Sequence, residues 1–314
     1  MSVKVFIDGS SGTTGLRIAD RLAARPDIEL LSISAEGRKD VNERAKVINS
    51  ADLAFLCLPD AASKEVMPLL RPDVKVLDTS TAFRTDAAWD YGFPELKGQK
   101  EKIKNSDRVA VPGCYASGFI SIARPLVELG LAPADYPFSC TGISGYSGGG
   151  KKMIAQYEGG DKTEQMCSPG IYGITQGHKH LPEMQVICGL EKAPVFSPIV
   201  DDYYKGMATT VPFHMSQLRG VATLHDVWQA YADYYGIYDG KRLVYVAGDP
   251  TDPEGGVEAS GKLYGAAKAG DNDLCLVVVG NDQAFTVTAL FDNLGKGASG
   301  AAVQNMNILL GLPE

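Results

Sequence analysis

The stretch Val3-Lys4-Val5-Phe6-Ile7-Asp8-Gly9-Ser10-Ser11-Gly12-Thr13-Thr14-Gly15 decides the fold of this 314-residue chain. An apolar run of strand length leads into a glycine-rich turn. Beyond it Leu16, Ala19, Leu22 and Ala23 recur at helical spacing until Pro26. Ile28 to Ser34 then reads as a second strand. Glycines in such a turn let the backbone approach a pyrophosphate, and the helix that follows offers its first N–H groups to the same anion. The spacing is G-x-x-G-x-x-G rather than G-x-G-x-x-G, so the flanking strand and helix carry the assignment more than the glycines do. Gly9, Ser11, Gly12, Thr13, Thr14 and Gly15 are the expected contacts to a dinucleotide.

Working outward, the second strand ends in Ser34-Ala35-Glu36-Gly37-Arg38-Lys39. A site specific for NAD usually places an acidic residue there to bind the ribose. Here Arg38 and Lys39, with Ser34 as a hydroxyl donor, suit a 2′-phosphate and favour NADP, while Glu36 argues mildly the other way. The alternation continues through a strand from Ala51 to Leu58, a helix from Ala61 to Leu70, and strands Val74 to Asp78 and Asp107 to Val111. These predict a doubly wound parallel sheet, with ligand-facing loops at the carboxyl ends of its strands. Arg84, in one of those loops, suits either bidentate pairing with a carboxylate or phosphate or a plain surface position.

The last of these strands delivers Pro112-Gly113-Cys114-Tyr115 to the same sheet edge as the glycine turn, just before a segment, Phe119 to Leu131, with helical apolar spacing. A thiol at a helix N-terminus is acidified by the unpaired N–H groups and the dipole, which makes Cys114 a candidate nucleophile. Of the six cysteines, Cys57, Cys140, Cys188 and Cys275 lie in apolar or strand-like runs and read as core residues, and Cys167 lies in a polar loop. No Cys-x-x-Cys pair occurs, so reduced thiols rather than a disulfide framework or zinc site are expected.

The second half changes character. Phe138 to Ile143 runs into the glycine cluster Ser144-Gly145-Tyr146-Ser147-Gly148-Gly149-Gly150, and later Gly177-His178-Lys179-His180-Leu181-Pro182-Glu183 holds two of the four histidines. General acid–base use of this pair ranks above metal binding, because redox-inert zinc would occupy imidazoles that thiol chemistry needs. Val195 to Val200, Met207 to His214, Arg242 to Ala247, Leu274 to Gly280 and Ala284 to Phe291 predict an antiparallel sheet. Thr223 to Tyr235 predicts a helix opened by a capping box, with Trp228, Tyr231 and Tyr235 on one stripe as core or subunit contact.

Composition narrows the partners. A formal charge of −8 disfavours nucleic acid and anionic membrane surfaces, and 45% hydrophobic residues over this length support two domains. No apolar run approaches membrane-spanning length and no signal-peptide core precedes the first strand, so a cytoplasmic location is expected.

These motifs, with Leu58-Pro59-Asp60, Asp78-Thr79-Ser80-Thr81-Ala82-Phe83-Arg84 and Asp292-Asn293-Leu294-Gly295-Lys296-Gly297-Ala298, resemble over nearly the whole chain the shorter type of N-acetyl-gamma-glutamyl-phosphate reductase. The resemblance implies NADPH-dependent reduction of an acyl phosphate to an aldehyde through a thioester on Cys114. His178 or His180 would serve as acid–base, and Glu183 would orient either one. It implies Leu58, Pro59, Asn293 and Gly297 at the cofactor, and Ser80, Thr81, Arg84, Ser147 and Gly148 at the substrate, with no metal. It further implies a Rossmann-type cofactor domain over 1–113 and 293–314, an α+β catalytic domain with a mainly antiparallel sheet over 114–292, and a homodimer or homotetramer. Rival readings are an aspartate-semialdehyde dehydrogenase, a reductase of carrier-bound aminoadipyl phosphate, a non-catalytic NADP sensor and a cysteine hydrolase.

Overall fold

A computed structural model describes residues 2–237, 239–250 and 261–313. The chain divides into two compact units, Met1–Gly113 with Ala298–Glu314, and Cys114–Gly297.

In the first unit, β1 (Val3–Asp8), α1 (Thr13–Leu22), β2 (Ile28–Leu31), α2 (Val41–Asn49), β3 (Leu53–Leu56), α3 (Asp60–Val66), β4 (Lys75–Asp78), β5 (Asp90–Tyr91), α4 (Gln99–Lys104) and β6 (Arg108–Ala110) follow in order. The strands form one sheet, β2-β1-β3-β4-β6-β5, with every pairing parallel. Both faces are buried, which is why the strands read as continuous apolar runs. Val5, Ile7, Phe55, Leu77 and Val109 pack with Ile18 and Leu22 of α1 on one face, and Phe6, Ala54, Leu56 and Val76 pack with Ala45 and Ile48 of α2 on the other.

The second unit contains α5 (Cys114–Glu128), β7 (Ser139–Gly145), α6 (Gly150–Glu158), β8 (Gly170–Ile171), α7 (Leu181–Cys188), β9 (Val195–Asp201), β10 (Met207–His214), α8 (Leu224–Tyr235), β11 (Val244–Val246), β12 (Leu274–Gly280) and β13 (Ala284–Phe291). A π-helical turn, Gly295–Ser299, then leads to α9 (Gly300–Leu310), whose Met306 and Leu309 join the core of the first unit. The second sheet runs β11-β12-β13-β10-β7-β9-β8 and is mixed: β7 with β9 and β11 with β12 are parallel, the other pairings antiparallel.

The aromatic stripe of α8 belongs to the core of this unit. Pro125 inside α5 has no N–H to give the Ser121 carbonyl four residues back. The Tyr235 hydroxyl donates to that oxygen at 3.1 Å, and the Tyr231 hydroxyl donates to Ile122 O at 2.8 Å. Helix α8 opens with the expected capping box of Thr223 and Asp226. Among the described residues, no helix is long and apolar enough to cross a membrane.

Candidate active site

In the first unit the strand order sets β1 between β2 and β3, so the crossovers diverge at the carboxyl ends of β1 and β3. Ligands of open α/β sheets bind at such a point. Gly9 lies there with φ +91°, and a Cβ added to it would fall 2.7 Å from the Cys57 carbonyl oxygen, next to Leu58. Only glycine fits on both counts. Gly12 caps α1 with no side-chain hydrogen bond, which leaves the first-turn N–H groups of Thr13, Thr14 and Gly15 open to an anion. Pro59 occupies the corresponding cap of α3. At the end of β2, the Gly37 N–H donates to Ser34 Oγ at 3.0 Å, and Arg38 and Lys39 stand exposed beside it.

A residue pair that sequence reading passed over supports this edge. Asp8, the last residue of β1, accepts from Arg44 of α2 through Nη2 at 2.7 Å and Nε at 3.0 Å, both side chains nearly fully buried. The same Nη2 also donates to Ala62 O of α3 at 3.1 Å.

The loop after β4 does not present its donors outward. The Ser80 hydroxyl donates to Asp78 Oδ2 at 2.7 Å, and the Thr81 hydroxyl and N–H both donate to Asp60, at 2.5 and 2.9 Å. Buried Arg84 donates to Val111 O and Thr79 O, each at 3.0 Å. These side chains also clamp the β4 loop to α3 and to the end of β6. Burial raises the pKa of Asp78 despite the hydroxyls of Ser80 and Ser63 that face it.

In the second unit, Cys114 is the first residue of α5, so the helix opens at the thiol itself rather than at Phe119. The small residues Ala116, Ser117 and Gly118 extend it N-terminally. A Cβ on Gly118 would fall 2.4 Å from Thr209 Oγ1, so glycine there lets α5 lie close on β10. Cys114 is partly exposed and Cys167 exposed. Burial pushes the thiols of Cys57 and Cys275 up to about 12 and about 11, and raises those of Cys140 and Cys188 as well. Cys140, Cys188 and Cys275 lie in the core, and Cys57, like Cys114, is partly exposed.

Tyr115 joins the thiol to the histidines. Its hydroxyl donates to Ile199 O of β9 at 2.9 Å, and its ring lies in a slot that Gly142 of β7 leaves open. Ring centroids of His178 and His180 lie 5.9 and 6.1 Å from it, and 4.8 Å from each other. Phe196 and Tyr172 complete the cluster, at 5.1 and 5.7 Å from His178. Burial, with a smaller effect of Cys114, pushes the Tyr172 hydroxyl up to about 12. The His180 N–H donates to His178 Nδ1 at 3.2 Å, which puts the proton of the neutral ring on Nε2. Burial, then the charge of Lys179, lowers the His178 pKa to about 4. His180 and Glu183 are both buried, Glu183 in the first turn of α7.

Asn293 and Gly297 lie in this second unit. The Asn293 amide donates to Ser147 Oγ at 3.0 Å and accepts from Gly206 N at 2.8 Å, knitting the 145–148 turn to the 203–206 loop. A Cβ on Gly297 would fall 3.0 Å from Cys114 Cβ, so the π-helical turn abuts the thiol-bearing residue directly. Lys296 beside it is fully buried. Among the described residues no three His, Cys, Asp or Glu side chains are arranged to hold a metal ion.

Comparison with known proteins places this architecture. Residues 4–106 match a family model described as semialdehyde dehydrogenase, NAD binding domain, and residues 114–293 match semialdehyde dehydrogenase, dimerisation domain. N-acetyl-gamma-glutamyl-phosphate reductase 2 of Nostoc sp. is 46% identical over 99% of this chain and 98% of its own length. The N-acetyl-gamma-glutamyl-phosphate reductase of Chelativorans sp. is 45% identical over 99% of both. The chain belongs to the N-acetyl-gamma-glutamyl-phosphate reductase family. This chain shares a fold with aspartate-semialdehyde dehydrogenases: that of Francisella tularensis matches with a TM-score of 0.69 at 15% identity, covering 98% of this chain and 100% of that one.

Proposed function

We propose that the chain reduces N-acetyl-gamma-glutamyl phosphate to N-acetylglutamate semialdehyde with NADPH, releasing inorganic phosphate, as a step of arginine biosynthesis. The observation that carries this reading is Cys114 at the opening of α5, with the histidine pair packed on the ring of the next residue.

The residues of the first unit fit NADPH. The Gly9 cradle admits no Cβ, and the open first turn of α1 suits the pyrophosphate. Exposed Arg38 and Lys39 with Ser34 suit the 2′-phosphate. When bound, the reduced nicotinamide supplies the hydride that converts a thioester to a thiohemiacetal.

The Cys114 sulfur, as the thiolate, attacks the acyl carbon. The carbon–oxygen bond to phosphate breaks, and phosphate leaves with the electron pair. A thioester remains on Cys114 and accepts hydride, as a carboxylate does not. His178 is the more accessible of the two imidazoles, and its neutral form offers Nε2–H to the tetrahedral oxygen. That hydrogen bond holds the oxyanion until its electron pair re-forms the carbonyl, the carbon–sulfur bond breaks, sulfur leaves as the thiolate and the aldehyde departs. His180 and Glu183 act behind it, holding ring and loop.

The protein works in the cytoplasm as a homo-oligomer assembled through the second unit, a reading supported by the dimerisation-domain match. Sedimentation analysis tests it, and a monomer at micromolar concentration overturns it. The deciding activity assay is phosphate-dependent reduction of NADP⁺ with N-acetylglutamate semialdehyde. Absorbance at the NADPH band should rise only when aldehyde and phosphate are both present. Activity with aspartate semialdehyde alone would reassign the substrate, and inactivity with both would favour a sensor. Cys114→Ala should abolish turnover while NADPH still binds.

A further inference from the structure

The loop bearing the histidines contains the one non-glycine residue with a left-handed backbone among the described residues, Gln176, with φ 57°. L side chains rarely adopt this conformation, and where they do the surrounding structure has to hold them there. The holding contacts are specific. Gln176 Nε2 donates to Phe196 O at 2.9 Å, and the Phe196 N–H donates to Gln176 Oε1, also at 2.9 Å. The side-chain amide thus pairs with one residue of β9 in both directions, as a neighbouring strand's peptide would.

Its place along β9 explains why an amide is needed. Strand β8 covers the outer edge of β9 only where Gly170 and Ile171 face Val200 and Ile199. The next outward carbonyl, of Pro198, accepts from Tyr172 N–H at 3.1 Å, and proline has no N–H there to leave unsatisfied. At Phe196 the chain has already turned away through Gly173, φ 60°, and the Gln176 amide closes the edge in its stead. Two residues later His178 packs its ring against Phe196, and His180 N–H grips His178 Nδ1. Strand β9 also accepts the Tyr115 hydroxyl, from the residue after Cys114. One strand therefore registers both the thiol-bearing helix start and the histidine loop.

We infer that Gln176 is a positioning residue: its side-chain amide, paired with Phe196 on the edge of β9, sets His178 in register with the start of the Cys114 helix. Its activity arm rests on the reductase reading above, and its structural arm does not.

The test compares Gln176→Ala, which keeps the strained backbone without the amide, with Gln176→Gly, which removes both, in the full-length protein. The structural arm follows the imidazole protons of His178 by NMR across pH. The ring is flanked by Tyr115, Tyr172, His180 and Lys179, and only the loop's position changes in the variants. The midpoint should rise by a unit or more from about 4 toward the ordinary 6.5 as the ring gains solvent. In the activity arm kcat should fall by roughly tenfold or more, as displacement of a reacting group by about 1 Å predicts, with KM for NADPH unchanged. Gln176→Gly should not restore kcat, because relief of strain does not replace the amide. Should Gln176→Ala fail to fold, Gln176→Met keeps the length, adds no charge and loses both hydrogen bonds to Phe196, and carries the same expectations. Wild-type kcat and an unmoved His178 midpoint in Gln176→Gly would overturn the inference. An inactive wild type whose His178 midpoint still shifts in the variants would overturn the reductase reading and leave this one standing.

Discussion

Replacing Arg44 with methionine tests how the cofactor edge of the first unit is held. The guanidinium joins β1, α2 and α3 through Asp8 and Ala62 O, and both partners of the ion pair are 4% exposed. Methionine fills much of the volume but leaves the Asp8 carboxylate buried without its counter-ion, a change that costs about 3–5 kcal/mol in comparable sites. The penalty belongs mostly to the stranded charge, so Asp8→Asn combined with Arg44→Met should recover most of it. Urea midpoints at pH 7 measure the loss and its recovery, and hydrogen exchange of the β1 and β3 amides localises it. Since Asp8 directly precedes Gly9, NADPH affinity should fall in parallel. A loss below about 1 kcal/mol, or no recovery in the double variant, would refute the account of a pair held by mutual neutralisation.

Arg38→Ala should weaken NADPH binding more than NADH binding, and equal losses in a fluorescence titration would remove the 2′-phosphate role. In Gly142→Ala the new Cβ would lie 2.4 Å from Tyr115 Cδ1, so the ring must move and turnover should fall while NADPH affinity holds. Unchanged kcat would show that Tyr115 does not tie the thiol to the histidines. His178 makes its own contribution to pH stability. Its folded pKa lies below that of the unfolded chain, so the unfolded state binds the proton first and stability is lost as pH falls from about 6.5 to about 4. Discounted for a ring only half buried, the loss is about 1–2 kcal/mol. It should vanish from the pH profile of His178→Gln.

The first unit was legible because each of its devices is local. The run from Val3 to Gly15 contains its strand, its turn and its helix, and the structure returns them as β1, the Gly9 turn and α1. The second unit was legible strand by strand, with β10, β12 and β13 found at their expected bounds, but not as a sheet. Pairing joins residues far apart in sequence, and nothing in the Val195 or Val244 runs indicates that each lies parallel to a neighbour. Helix α7 went unread although Pro182 is a normal first-turn proline, because the histidines before it drew a catalytic reading and the helix is short.

The same division runs through the site residues. Cys114 was singled out by residue type and a local position, a thiol at a helix start, and the helix does open there. Ser80, Thr81 and Arg84 were chosen by type as anion receivers, and type does not reveal the hydrogen bonds each makes within the chain. Asp78 lies two residues from Ser80 and its claim could have been suspected. Asp60, which accepts from Thr81, and the Val111 carbonyl, which accepts from Arg84, reach those residues only through the fold. Gln176 is the limiting case. A single glutamine in a polar loop carries no periodicity, no motif and no charge, and its work depends on a backbone amide of Phe196 that becomes available only once β8 ends. Groups that react can be read from a sequence, and groups that place them emerge when the backbone they grip is in position.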